Sequence, residues 1–213
     1  MKWIRIILAA LIGYFSAAVP MMAQTQNTEV TIRVFNRSHV SPSILLDGEK
    51  QASEVISEAG IHVAWLNCRA GTQACIEQPS SRNLILTILK QGSAIGSDDV
   101  LGLAAQNEVG SGAYCYVFEN KLNEISGENH VAISRLLGYA LAHEIGHLLK
   151  GSHSHSRDGV MSGLWSPSLL EQISRGALGF TQEDAEIMQA RLRNLINTNE
   201  TGAVVMEKVP PRP

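Results

Sequence analysis

The sequence carries no surplus of positive charge, since 17 lysines and arginines stand against 20 aspartates and glutamates and the formal net charge is −3. A chain with this balance has no broad basic surface to bind phosphates, and we expect no nucleic-acid partner. Internal repeats and a domain linker are also missing, which predicts one folded domain. The 45% hydrophobic and 17% charged content is typical of a globular protein and excludes a disordered chain.

A hydrophobic run long enough to span a membrane is missing at the amino terminus. Residues 6–19 are apolar, but a spanning helix needs roughly 20 such residues. Lys2 precedes this run and Ala23 follows it, a pattern typical of a secretory signal peptide and its cleavage position. We therefore predict a signal peptide over residues 1–23 and a single mature domain over residues 24–213. The mature protein would be exported, to the periplasm or the extracellular space, without a stable membrane anchor.

Cysteine occurs only three times. Disulfides persist in exported proteins, and a short polar segment separates Cys68 from Cys75, so we predict a disulfide that closes this small loop. Cys115 lies between two tyrosines in an apolar stretch, where a thiol behaves as a small hydrophobic side chain. We predict that Cys115 is a buried strand residue without a catalytic role.

Apolar periodicity predicts a series of strands and helices. The first strand, helix and strand follow one another closely, which favours a right-handed crossover between parallel neighbours. Residues 100–105 fit either an edge strand that holds an extended peptide or an ordinary strand between loops. Gly151 ends the second helix, Thr181 and Asp184 resemble a capping box before the last helix, and residues 197–213 are expected to form a loose tail. The predicted strands are residues 30–35, 61–66, 83–89, 100–105 and 114–118, and the predicted helices are residues 43–58, 129–150 and 181–195.

The predicted second helix contains the sequence HEIGH, with His143, Glu144 and His147. A spacing of four residues puts both imidazoles on one helix face, one turn apart, where they can bind the same metal ion. Imidazole nitrogen suits Zn²⁺, and a catalytic zinc site has three protein ligands and an open position for water. Glu144 is about 100° around the helix from His143, from where its carboxylate can act on that water as a general base.

Beyond this motif, the segment HEIGHLLKGSHSHSRDGVM resembles the metzincin metalloproteases, whose signature is HExxHxxGxxH followed by a turn with a methionine beneath the zinc. His153 stands at the spacing of that signature, and Met161 is the candidate for the methionine of the turn. The resemblance implies an α+β fold in which a mixed twisted sheet packs on two main helices, with the zinc site on the second helix and a further helix at the carboxyl terminus. It also implies an edge strand that binds substrate backbone.

The position of the third ligand departs from the signature. Lys150 occupies the position of the family's glycine, and the glycine follows one residue later, at Gly151. One extra helical residue turns the exit direction of the chain by about 100°, so the usual spacing need not hold. The chain also resembles a group of uncharacterised, exported bacterial metzincin-like proteins in which the histidine aligned with His155 is the regular one. We therefore expect His155 as the third ligand, with His153 as the alternative.

The resemblance implies a secreted zinc-dependent endopeptidase that hydrolyses peptide or protein substrates. Glu144 would take the proton of the attacking water and pass it to the leaving amine. Gly163 stands where many metzincins have a tyrosine, so the sequence indicates no further group for oxyanion stabilisation. The alternative is an exported metal-binding module or pseudo-protease without turnover. The histidines far from the motif are expected to be surface or structural residues; they are His39, His62 and His130.

Overall fold

The structure is a computed structural model that describes most of the predicted mature domain. The predicted signal peptide and residues 202–213 of the predicted tail lie outside the described residues. Within the described part, no helix is long and apolar enough to cross a membrane. The described residues are 29–69, 72–76, 79–80, 82–92, 100–106 and 113–201, without the side chains of residues 196–201.

Five strands form one mixed sheet. They are β1 (Glu29–Asn36), β2 (His62–Asn67), β3 (Asn83–Leu89), β4 (Gly102–Ala105) and β5 (Tyr114–Phe118). Their spatial order is β2-β1-β3-β5-β4, and all neighbours are parallel except β4, which pairs antiparallel with β5. Of the two alternatives that the sequence leaves open for residues 100–105, the structure shows an edge strand in the described sheet, formed by the four residues of β4.

The first helix joins two parallel neighbours of this sheet. Helix α1 (Pro42–Glu58) connects β1 to β2, which pair in parallel as predicted. The hydroxyl of Ser41 accepts a hydrogen bond from the amide of Ile44 and so caps the helix, and proline follows in the first turn. Gly60 follows the helix with a left-handed φ of 73°, a backbone conformation that glycine adopts at low cost.

The helix predicted over residues 129–150 is one helix in the structure, and a shorter helix that was not predicted precedes it. Helix α2 (Glu119–Asn129) ends where His130 adopts a left-handed φ of 55°, and helix α3 (Ile133–Lys150) begins after this break. The prediction was wrong about α2 because Leu122 is its one buried residue, so its apolar periodicity is weak. The HExxH motif therefore lies on the third α-helix of the described residues, not on the second as predicted. Gly151 ends that helix as predicted, with φ of 68°.

Two more helices follow the motif. Helix α4 (Pro167–Arg175) was not predicted, although proline in its first turn and Gly176 after its end are ordinary helix signals. Helix α5 (Gln182–Thr201) starts at the predicted capping residues, where the amide of Asp184 donates a hydrogen bond to the hydroxyl of Thr181 over 3.1 Å. Residues 197–201, the start of the predicted tail, continue this helix.

The hydrophobic core lies between the sheet and the helices. Helices α1 and α3 pack against each other, and α3 also contacts β4, β5, α2, α4 and α5. Every residue of α3 from 136 to 150 is buried. A helix that is buried on all sides is held by its neighbours, so this packing fixes the position of the HExxH motif.

The cysteines are arranged as the sequence predicted. Cys68 and Cys75 form a disulfide, and Cys115 is a buried free thiol on β5. Burial raises the pKa of the Cys115 thiol, and the nearby Glu144 raises it further. A thiol with a raised pKa is a poor nucleophile, which agrees with a packing role for Cys115.

Candidate metal centre

Three histidines come together at the carboxyl-terminal half of α3. His143 and His147 lie one turn apart on the helix, and their Nε2 atoms are 3.1 Å from each other. The ring of His155, from the segment after the helix, is 5.4 Å from the ring of His143 and 5.0 Å from that of His147, measured between centroids. One ligand atom from each of the three residues lies within 4.8 Å of the other two, so the group can hold a metal ion.

The other candidate, His153, is placed differently. Its ring centroid is 6.4 Å from that of His147, and its side chain is exposed. The structure thus brings His155, rather than His153, into a group with the two helical imidazoles. His153 still lines the same cleft.

Backbone carbonyls orient the two helical imidazoles. The Nδ1 atom of His143 lies 2.7 Å from the carbonyl oxygen of Val160, and the Nδ1 atom of His147 lies 2.9 Å from that of Ser152. A carbonyl can only accept, so each Nδ1 carries the proton and donates it. Each Nε2 of a neutral ring is then left with a lone pair that faces the other ring, the tautomer that a shared metal ion requires.

The donor set fits a zinc ion. In a tetrahedral site with Zn–N distances of about 2.0–2.1 Å, two imidazole nitrogens stand roughly 3.3 Å apart, close to the 3.1 Å between the helical Nε2 atoms. Two lone pairs at this separation repel unless a cation or a proton lies between them. Three neutral imidazoles form a known ligand set for catalytic zinc, and they leave a fourth position open.

Glu144 is buried beside the histidines and next to the edge strand. Its side chain is 4% exposed. A Cβ on Gly102 of β4 would lie 2.5 Å from Glu144 Oε1, so the absence of a side chain at Gly102 makes room for this carboxylate. Just after the other end of β4, the side-chain amide of Gln106 donates a hydrogen bond to the backbone carbonyl of His147 and so links the strand to α3. The carboxylate therefore lies between the edge strand and the histidine group.

Met161 lies beneath the motif. Its side chain is fully buried, and a Cβ on Gly146 would lie 2.5 Å from its Sδ atom. Gly146 therefore provides the space for the thioether against α3. Gly159, two residues before Met161, has a φ of 76° and gives the turn its sharp bend. The carbonyl of Met161 also accepts a hydrogen bond from the amide of Ser156, which links the turn to the segment that carries His155.

A cleft of about 400 Å³ opens over this group. Strand β4 contributes one wall, and apolar side chains such as Ile125, Leu164 and Trp165 contribute others. Leu164 is 77% exposed at the rim. Gly163 lies directly behind the third imidazole, because a Cβ there would be 2.8 Å from the Cγ atom of His155.

The remaining histidines do not join the group. His39 and His130 have left-handed backbones in connecting segments, and His62 is an exposed residue of β2. One contact near the site was not predicted from the sequence: Lys150 forms a buried ion pair with Asp184, 34 positions later in the chain. No local sequence pattern signals a contact of that separation.

Burial keeps the three motif side chains neutral in the absence of a metal. It lowers the pKa of His143 to about 4 and that of His147 to about 4, and the carbonyls that accept from Nδ1 offset only part of the effect. Burial raises the pKa of Glu144 to about 8. Neutral imidazoles are the metal-binding form, so the site needs no proton loss from His143 or His147 at neutral pH.

These shifts predict that the metal-free protein is most stable near pH 6.5. Consider His143, His147 and Glu144 between pH 4.5 and pH 6.5, the ordinary pKa values of glutamate and histidine. In the unfolded chain the two histidines are protonated, whereas in the folded chain only Glu144 is. The unfolded state then binds one more proton, so stability falls as the pH drops. Between 6.5 and about 8 only the folded Glu144 holds an extra proton, so stability falls as the pH rises.

Urea unfolding of chelator-treated protein from about pH 5 to about pH 8 measures this profile. The Glu144→Gln variant serves as the comparison, because it removes the decline above pH 6.5. Below pH 6.5 its stability should fall more steeply than that of the wild type, since no proton on Glu144 offsets those on the two histidines of the unfolded chain. A wild-type stability that rises steadily to pH 8 and parallels that of the variant would contradict the prediction.

The fold is similar to those of solved structures that include two from archaea. One is a zinc-dependent peptidase from Methanocorpusculum labreanum, with a TM-score of 0.50 and 18% identity over 74% of this chain and 99% of that chain. The other is the archaemetzincin of Methanopyrus kandleri, with a TM-score of 0.50 and 20% identity over 79% of this chain and 98% of that chain. No protein-family model matches this sequence, and no curated protein matches it either. At these identities the similarity shows a shared mixed α/β fold.

Proposed function

We propose that this chain is an exported zinc-dependent endopeptidase with a metzincin-like active site. The observation that carries the proposal is the convergence of three imidazoles beside the buried Glu144 carboxylate, at the base of a cleft walled by an edge strand. The similarity of the fold to a zinc-dependent peptidase and to an archaemetzincin supports it. The Cys68–Cys75 disulfide supports an oxidising compartment, and hence export of a single domain over residues 24–213.

The proposed ligands are His143, His147 and His155, each through a neutral imidazole. When bound, zinc supplies a Lewis acid that makes water nucleophilic at neutral pH and polarises a carbonyl. The carbonyls of Val160 and Ser152 hold the two helical rings in the required tautomer. Met161 forms an apolar floor under α3 and excludes water from below the site.

The chain's own catalytic group is Glu144. Its carboxylate accepts a proton from the attacking water and then donates it to the nitrogen of the leaving amine. In the metal-free protein burial raises the pKa of this group to about 8, whereas a cation at the histidine group favours its ionised form. A basic carboxylate in a dry site is well suited to carry a proton in both directions.

Strand β4 is the proposed docking edge for substrate. Among the described strands it pairs with β5 alone and ends the sheet on its other side, where an extended peptide can add as a further strand. The apolar walls at Leu103 and Trp165 fit the side chains of an unfolded or flexible peptide segment. This arrangement accepts peptides by their backbone and favours an internal bond as the point of cleavage.

A second candidate is an exported zinc-binding module without turnover. The observation that favours it is that His153 lines the same cleft as the histidine group. A fourth imidazole could then close the coordination shell, as in structural zinc sites, and leave no position for water.

Chelation distinguishes the two candidates. For a catalytic zinc we expect a chelator to abolish peptide hydrolysis while the far-ultraviolet circular dichroism stays native, and one equivalent of zinc to restore activity. For a structural zinc, chelation unfolds the protein. Failure to bind zinc, or zinc binding without cleavage of a broad peptide panel, would refute the peptidase proposal.

A further inference from the structure

A buried ion pair lies next to the candidate metal centre. Lys150, the last residue of α3, places its ammonium 2.6 Å from Asp184 Oδ1 in the first turn of α5, and the two side chains are 5% and 2% exposed. Removing two charges from water carries a large cost, which is offset only where geometry and additional hydrogen bonds are good. Such a pair holds its partners in one arrangement, because a shifted partner leaves a buried charge unpaired.

Two hydroxyls complete the surroundings of the Asp184 carboxylate. The Ser156 hydroxyl lies 2.8 and 2.9 Å from the two carboxylate oxygens, and the Thr181 hydroxyl donates over 2.8 Å. We call these four residues the Lys150 network: Lys150, Ser156, Thr181 and Asp184. The network joins the end of α3, the start of α5 and the segment that connects α3 to the Met161 turn.

The network fixes the residue that follows the third imidazole. Ser156 is held twice, through its hydroxyl to Asp184 and through its backbone amide to the carbonyl of Met161 over 2.8 Å. The segment before it is exposed at Ser154 and His155, so little packing there holds the chain. Ser154 is hydrogen-bonded to Ser152 of the same segment, whereas Ser156, next to His155, is bonded to Asp184 and Met161 outside it.

We propose that Lys150 is a positioning residue for the third metal ligand, acting through Asp184 and Ser156 on His155. This inference rests on the proposed function, in which His155 binds zinc. It also explains why Lys150 stands where the metzincin signature has glycine. Lys150 makes α3 one residue longer than in the signature, and its ion pair with Asp184 anchors the segment that carries His155. The extra helical residue changes the direction in which the chain leaves α3, and the Lys150 network fixes the position of the following segment beside the histidine group.

A double-mutant cycle on zinc affinity tests the inference. The four proteins are the wild type, Lys150→Met, His155→Ala and the double variant, with zinc affinity measured by competition against a chelating dye. Loss of a group that orients a metal ligand typically weakens binding by about 10- to 100-fold, and we expect this for Lys150→Met. In the His155→Ala background, Lys150→Met should change the affinity by less than about twofold, because the ligand it positions is gone.

A merely structural role gives a different result. If Lys150 only stabilises the fold, Lys150→Met lowers the affinity equally in both backgrounds, or lowers stability and leaves the affinity unchanged, and either result overturns the inference. Because Lys150→Met strands the Asp184 charge, Lys150→Met/Asp184→Asn serves as a second variant in both backgrounds, with the same expected pattern. A wild-type protein without zinc affinity would refute the proposed function itself, whereas additive losses in a zinc-binding protein refute only the role of Lys150.

Discussion

Replacing Glu144 with glutamine is expected to abolish peptide hydrolysis while zinc stays bound. Glutamine has the shape of glutamate and fits against Gly102, but it cannot accept the proton of the attacking water. General acid–base catalysis typically contributes about 10²- to 10⁴-fold, and we expect a loss of that size in kcat/KM. Because Glu144 is not one of the three grouped residues, zinc content should equal that of the wild type.

Two controls make the Glu144→Gln result specific. Glu128→Gln makes the same chemical change on an exposed position of α2 and should leave both activity and zinc content unaltered. Thermal unfolding of the metal-free Glu144→Gln variant at pH 7 should show at least wild-type stability, because burial raises the pKa of Glu144 to about 8 and the amide removes that cost. Wild-type cleavage by Glu144→Gln would exclude Glu144 as the general base.

Replacing His155 with alanine is expected to weaken zinc binding far more than replacing His153. His155 stacks on His143 and completes the group of three imidazoles, whereas the ring of His153 lies farther from that of His147, at 6.4 Å against 5.0 Å for His155. Loss of an outer-shell partner already costs about 10- to 100-fold in metal affinity, so loss of a ligand should cost more than about 100-fold. His153→Ala, a matched control two residues away, should cost less than about tenfold.

Isothermal titration of zinc into the two chelator-treated variants measures this difference. A larger loss for His153→Ala would reverse the ligand assignment and restore the spacing of the metzincin signature. Equal and large losses would favour a closed shell of four histidines, and with it the module without turnover.

The sequence was sufficient for the elements whose apolar pattern is strong. The alternation in β1, the long apolar faces of α1 and α3 and the glycine after α3 all agree with the structure. Helix α2 escaped prediction because a single side chain, Leu122, is buried, so its packing is set by tertiary contacts rather than by periodicity. Helix α4 carried adequate signals at Ser166 and Gly176, but its nine residues are few for a periodic pattern.

The candidate site likewise has a part that the sequence predicts and a part that it does not. The pairing of His143 with His147 follows from helical geometry, since residues four apart share a face, and so does the position of Glu144 about 100° around the helix. The choice between His153 and His155 does not, because the segment after Gly151 has no regular period and its path depends on contacts with distant residues. Ser156 is held by Asp184, which lies 28 positions later in the chain. Such contacts appear only in three dimensions.

The most direct test is cleavage of a broad, unbiased peptide library by the purified zinc-loaded protein, analysed by mass spectrometry beside the Glu144→Gln variant. A zinc-dependent endopeptidase predicts one zinc per chain in both proteins, internal cleavages made by the wild type alone, and their disappearance with chelator. Zinc bound in both proteins and no cleavage by either would contradict a peptidase and leave an exported zinc-binding module.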